Sequence, residues 1–183
     1  MPETRSERDS ASLKPYLRFA AMIATSMVVM FFLMYLHSYR LIEHAFFSET
    51  RVFMVTIMGG GMVIVMLLFM LGMYKSKAMN AGVLLAGVGL IALGLYLVRS
   101  QTTVSDADYM EGMIPHHSIA ILTSERAQID DPRVRRLADE ILRAQRREIK
   151  EMAWLINDIR ANGVAADEAE ASARPVPDFT GTP

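Results

Sequence analysis

The chain of 183 residues contains no cysteine. This absence excludes a disulfide scaffold, a zinc finger, a thiol nucleophile and a cysteine-ligated iron–sulfur cluster. Neither sign of charge is in excess, since 19 Lys and Arg stand against 20 Asp and Glu and the formal net charge is −1. A nucleic-acid-binding protein needs a basic surface to offset phosphate charge, so we expect no nucleic acid among the partners.

What the chain has instead is apolar residues, which make up 52% of it and give a mean hydropathy of +0.24. Three uncharged runs lie in the first half of the chain, at 19–36, 52–74 and 78–98. Each is close to the roughly 20 residues that a helix needs to cross a bilayer. A cleaved signal peptide would be one short run. The pattern therefore predicts a permanent three-helix transmembrane region, 19–98, after an N-terminal tail, 1–18.

Basic residues near the helix ends predict the orientation. Four of them lie in the N-terminal tail, and Lys75 and Lys77 lie between the second and third runs. The positive-inside rule places both segments in the cytoplasm. The C-terminal half is then on the outer side, and in a bacterium this means a multi-pass protein of the inner membrane with a periplasmic C-terminal domain.

The polar half reads as a two-helix hairpin, 105–163, followed by a disordered tail, 164–183. Ser105 or Asp106 is expected to cap the first helix, which continues to about Arg126. Asp131 followed by Pro132 is a start signal for the second helix, and Gly163 is a suitable stop. No strand is expected, so the fold class is all-α.

The second helix carries a seam of inward positions with polar residues at its centre. The seam steps by four and three along the following row: Val134, Ala138, Ile141, Gln145, Glu148, Met152, Leu155 and Ile159. An unpaired polar group in a buried seam costs about 1–3 kcal/mol, and a carboxylate costs more. We therefore expect Gln145 and Glu148 to meet a partner on the facing helix.

The facing helix carries side chains that can act as soft metal ligands opposite these polar residues. Met110, Met113 and His117 share one helical face because they are three and four residues apart, and His116 is turned by about 100° from His117. Thioethers suit Cu(I) or Ag(I), while imidazole accepts either oxidation state of copper. A mixed Met and His set without Cys points to copper. Met at helical spacing also packs as ordinary core, so each Met taken alone is more simply explained by packing.

These residues lie in a segment that resembles the DUF305 family in three ordered blocks: Tyr109-Met110-x2-Met113-Ile114-Pro115-His116-His117, then Asp131-Pro132-x4-Leu137-Ala138, then Ala144-Gln145-x2-Glu148-Ile149-x2-Met152-x-Trp154-Leu155. The resemblance covers about residues 105–160. It implies a ferritin-like helical bundle and a role like that of the periplasmic members that bind copper or silver. Carried over by position, it implies these metal ligands: Met110, Met113, His116, His117, Glu148 and Met152.

The expected function is therefore a membrane-anchored metal-binding protein that buffers copper, or silver, or delivers it to a copper-handling partner for tolerance. A hairpin alone buries little apolar surface, so a homodimer or higher oligomer is expected to complete a four-helix bundle. An enzyme is not expected, because a di-iron site of this fold needs a Glu-x-x-His pair that the hairpin lacks.

Two other interpretations stay open. Met54, Met58, Met62, Met66 and Met70 recur every four residues in the second run and suggest a path for Cu(I) transport. The other alternative is a structural membrane protein without a metal role, in which these Met residues only pack between helices. His37 and His44, near the outer end of the first run, are secondary candidates for facing the hairpin.

Overall fold

A computed structural model describes residues 5–36, 38–40 and 43–181, and within them the chain is all-helical. The helices are α1 (Arg5–Leu33), α2 (Glu49–Phe69), α3 (Lys77–Ser100), α4 (Asp106–Arg126), α5 (Pro132–Asn162) and α6 (Glu168–Ala173). The chain divides into two compact units. Met1–Met34 and Thr50–Thr102 form what we call the apolar unit, and Tyr35–Glu49 and Thr103–Pro183 form the hairpin unit.

The apolar unit contains three helices that are long and apolar enough to span a membrane: Leu13–Leu33, Glu49–Phe69 and Lys77–Ser100. The three expected runs are thus found as helices. α2 ends at Phe69 rather than near residue 74, because the chain turns at Met70–Met73. The secondary candidate His37 lies outside the described residues.

The helices of the apolar unit approach closely where glycine removes the side chain. A Cβ at Gly60 would lie 2.6 Å from the carbonyl oxygen of Gly87, and one at Gly94 would lie 3.0 Å from the carbonyl oxygen of Phe53. Small residues allow such close backbone contact between apolar helices. The packing of α2 against α3 therefore depends on these glycines.

The methionines of α2 do not share one environment. Met62, Met66 and Met70 pack against the apolar core around Leu67, whereas Met54 is 37% and Met58 42% exposed. Met27 of α1 occupies the space beside Gly59, where a Cβ would lie 2.4 Å from its sulfur. Packing accounts for the buried part of the row, and Met54 and Met58 each leave more than a third of their surface exposed.

The hairpin unit is built on α4 and α5, whose ends match the capping signals. Ser105 and Asp108 form a capping box at the start of α4, which continues through Pro115. Asp131 caps α5 with Pro132 in its first turn, and Gly163 ends it. The expected bounds of both helices are confirmed within a residue, since short-range capping chemistry determines them.

Two ion pairs and one histidine–carboxylate contact describe the antiparallel register of α4 and α5. Glu111 pairs with Arg160, His117 Nδ1 lies 3.5 Å from Glu148 Oε2, and Glu125 Oε1 lies 3.2 Å from Arg146 Nη2.

Part of the segment expected to be a disordered tail is helical. Asp167 caps α6, and just beyond it Arg174 reaches back to Asp158 at 2.6 Å. This ion pair holds the start of segment 164–183 against α5, although the polar composition of the segment predicts disorder.

The inward face of α5 differs from the expected seam. Its buried residues are Ala138, Ile149, Met152 and Ile156, whereas Val134 is 49% and Ile141 37% exposed. The two rows share Ala138 and Met152, and Leu155 and Ile159 of the expected row pack against the core of the hairpin unit. Two stripes on a helix of 3.6 residues per turn can overlap in this way. The position of α4 selects the second stripe, and Glu148 consequently lies at the edge of the seam with 36% of its side chain exposed.

Candidate metal-binding site

The three methionines of the hairpin unit lie in one apolar cluster. Met110 is 6% and Met152 9% exposed, and the partly buried Met113 packs against the same cluster. The cluster also contains Ile114, Ile121, Ile149 and Ile156. The structure thus brings together the three thioethers that the sequence singles out, in a low-dielectric environment.

His117 continues this face one turn beyond Met113. Its side chain is only 13% exposed, and Nδ1 is buried without a hydrogen-bond partner among the described residues. The nearest carboxylate oxygen, Glu148 Oε2, lies 3.5 Å away. Buried polar atoms are normally satisfied, so an unpaired ring nitrogen here needs a reason.

Gln145 is the second polar residue of the seam, and it is also incompletely paired. Its Oε1 is buried without a hydrogen-bond partner in the described part of the chain, while its Nε2 donates to Glu148 Oε2 over 3.5 Å. The expected meeting of Gln145 and Glu148 with the facing helix is thus limited to the contact of Glu148 with His117. The polar centre of the seam therefore keeps an unused hydrogen-bond acceptor, Gln145 Oε1.

His116 has a different environment. It is exposed on α4, and its ring centroid lies 6.2 Å from that of His117 with the planes tilted by 50°. Among the described residues, no three His, Asp or Glu side chains come together in a group that would hold a metal ion.

Burial sets the protonation of His117. Removal from water lowers the pKa of the imidazole below its usual value, the Glu148 carboxylate raises it in part, and His116 lowers it further. A neutral imidazole is the form that binds a metal ion. The ring is therefore available as a ligand at neutral pH.

The loop between α1 and α2 covers this part of the hairpin unit. The backbone N–H of Tyr39 donates to Ser118 Oγ over 2.7 Å, and His44 Nδ1 lies 2.8 Å from the same oxygen. Ser118 is completely buried. The expectation that His44 faces the hairpin is confirmed by this contact.

Further along the loop, Phe46 packs against the methionine cluster together with Tyr39. Ser48 lies against Gly112, where a Cβ would approach its Oγ to 3.2 Å. The sequence did not predict four residues of the site: Tyr39, Phe46, Ser48 and Ser118. They carry no signal of their own in the sequence, because contacts between segments more than 60 residues apart leave no periodic pattern.

Both buried histidines should make folding depend on pH. Burial is the main cause that lowers the pKa of His44, as it is for His117. In the unfolded chain these rings have the unperturbed histidine pKa of about 6.5. Their contribution to stability is therefore complete above that pH and decreases as the pH falls toward the lowered folded value, because the unfolded state then binds more protons.

We expect the metal-free protein in detergent to unfold at a lower temperature as the pH falls from about 7.5 to about 5.5, a window that avoids most carboxylate titration. The double variant His44→Gln and His117→Gln should show a smaller dependence. His116→Gln, at an exposed ring, is the matched control. An unchanged slope in the double variant would contradict the assignment.

Comparison with known proteins finds a family that matches the hairpin unit. Residues 99–178 match the family model described as "Domain of unknown function (DUF305)". The chain is also similar to "Uncharacterized protein L153" of Acanthamoeba polyphaga mimivirus, with 32% identity over 111 residues that cover 58% of this chain and 69% of that protein. No solved structure matches the chain. The matched segment includes every thioether and imidazole described above for α4 and α5.

Proposed function

Because this chain belongs to the DUF305 family, we propose that it binds copper or silver ions as cargo through the thioethers and the imidazole of the hairpin unit. The observation that carries the proposal is the buried Nδ1 of His117, which has no hydrogen-bond partner in the described chain and continues the face of Met110 and Met113. A soft metal ion would use this lone pair, and the apolar cluster around it would exclude water.

The donor set favours the monovalent ions. Met110, Met113 and Met152 provide soft sulfur ligands, which prefer Cu(I) and Ag(I) to harder cations. Glu148 Oε2 lies beside Nδ1 of His117 and is suited to bind the same ion and to balance its charge. His116, at the exposed side of α4, is placed to receive an ion from solvent. The proposed role is buffering or delivery of copper for tolerance rather than catalysis.

The proposed location is the outer face of a membrane. Three helices have the length and the composition to cross a bilayer, and the basic residues favour a cytoplasmic N-terminal tail. Two crossings, by α2 and α3, would separate the loop 35–49 from the hairpin α4–α5 along the chain and so bring both to one side. The contact of Tyr39 and His44 with Ser118 supports this arrangement. In a bacterium that side is the periplasm.

The test is titration of the full chain in detergent micelles with Ag(I), and with Cu(I) against a competing chelator. We expect Met113→Leu and His117→Ala each to weaken binding at least about tenfold, which corresponds to about 1.4 kcal/mol. His116→Ala, which removes an exposed imidazole from the same helix, should change affinity much less.

Circular dichroism at the start of each titration measures the helix content of each variant. It distinguishes a loss of affinity caused by a missing ligand from one caused by unfolding. Unchanged affinity in both Met113→Leu and His117→Ala would refute the site. Equal losses in all three variants would show that the exposed His116 contributes as much to binding as the two residues of the cluster side.

A further inference from the structure

The N-terminal half of α5 carries an exposed apolar stripe. Val134, Leu137 and Ile141 are 49%, 56% and 37% exposed, and their spacing of three and four residues places them on one face. None of the three belongs to the apolar cluster of the hairpin unit. Single exposed apolar residues are ordinary, but a continuous stripe on a helix commonly marks a contact surface.

Two opposite charges border this stripe on the same side. Arg133 and Glu140 are seven residues apart, and two turns of helix bring them to nearly the same direction. The Arg133 side chain is 87% exposed and pairs with its near neighbour Asp131, while Glu140 is exposed and has no ion pair among the described residues. The stripe is therefore bordered by one positive and one negative group at its two ends.

We propose that a second copy of this chain covers the stripe in an antiparallel arrangement about a two-fold axis at Leu137. In this register Val134 of one copy faces Ile141 of the other, and the reverse contact follows by symmetry. Arg133 of each copy likewise faces Glu140 of the other, so the two-fold axis produces two such contacts. Each copy contributes the N-terminal half of its α5 to this contact.

The charges select this orientation. In a parallel two-fold pairing, the flank that carries Arg133 and Glu140 would face the opposite flank of the second copy, so neither charge would meet its counterpart. The antiparallel pairing brings Arg133 of each copy to Glu140 of the other. The surface is separate from the methionine cluster, so the proposal stands whether or not the protein binds a metal ion.

The absence of cysteine makes a direct test possible. Leu137→Cys places one thiol near the proposed axis, and Arg136→Cys places the control thiol at an exposed position turned by about 100° along the helix. The full chain in lipid nanodiscs or mild detergent is treated with diamide, a metal-free oxidant. We expect disulfide-linked dimer to form at least about tenfold faster at position 137, since a disulfide requires Cβ atoms within about 4.5 Å.

A charge swap tests the register. In the Leu137→Cys background, Arg133→Glu should slow cross-linking at least about threefold, and adding Glu140→Arg should restore it. Arg136→Glu, with the same charge change one residue away, should have little effect. Equal rates at positions 136 and 137 would overturn the interface, because collision alone would explain them. A failure of Glu140→Arg to rescue, with helix content unchanged, would overturn the antiparallel register.

Discussion

Gly60→Ala is expected to loosen the packing of α2 against α3 and to lower the stability of the apolar unit. The added methyl would lie 2.6 Å from the carbonyl oxygen of Gly87 and 2.8 Å from Cγ1 of Ile91. The isoleucine can change rotamer, but the carbonyl belongs to a helix backbone and moves only if the helices separate. Overpacking of this kind costs about 1–3 kcal/mol.

The adjacent glycine supplies the control. A Cβ at Gly61 would meet nothing within 4 Å, and alanine is the better helix former by up to about 1 kcal/mol. Gly61→Ala should therefore leave stability unchanged or raise it. Both variants are compared by unfolding the full chain in mixed micelles with increasing SDS and following helix content. Equal stability of the two variants would show that α2 and α3 do not approach at Gly60.

Ser118→Ala is expected to release the loop between α1 and α2 from the hairpin unit. The completely buried hydroxyl accepts the N–H of Tyr39 over 2.7 Å and contacts Nδ1 of His44 at 2.8 Å. Alanine fills nearly the same volume but pairs with neither group. Each buried group left unpaired costs about 1–3 kcal/mol, unless the loop moves away and lets water satisfy it.

Hydrogen exchange measures this release directly. The amide of Tyr39 should exchange at least about tenfold faster in Ser118→Ala, since each 1.4 kcal/mol of lost protection is a factor of ten. Thr123→Ala is the control on the same helix, because within the described chain the Thr123 hydroxyl donates only to the carbonyl oxygens of Ile119 and Ala120 of α4 itself. Comparable exchange at Tyr39 in both variants would contradict the role of Ser118.

Release of the loop should also expose the methionine cluster, because Tyr39 and Phe46 pack against it. Chemical oxidation of Met113, the thioether at the edge of the cluster, is then expected to become faster in Ser118→Ala. An unchanged rate would mean that the loop does not limit access to the cluster. This comparison links the loop contact to the proposed metal site without requiring the metal.

The sequence by itself determined the elements that depend on local chemistry. The three apolar helices follow from uncharged runs of bilayer length. The ends of α4 and α5 follow from Ser105, Asp131, Pro132 and Gly163, whose side-chain or backbone preferences act within one helical turn. The methionines and His117 of α4 share a face because helical spacing requires it. Each of these inferences needs only neighbouring residues.

Only the tertiary structure decided which stripe of α5 faces α4. Two overlapping stripes satisfy the same helical period, and the choice of Ile149 and Ile156 over Ile141 depends on where the partner helix lies. The contact of Tyr39 and His44 with Ser118 was likewise decided by packing across more than 70 residues. Periodicity describes one helix at a time, whereas a buried site forms where separate segments of the chain exclude water together.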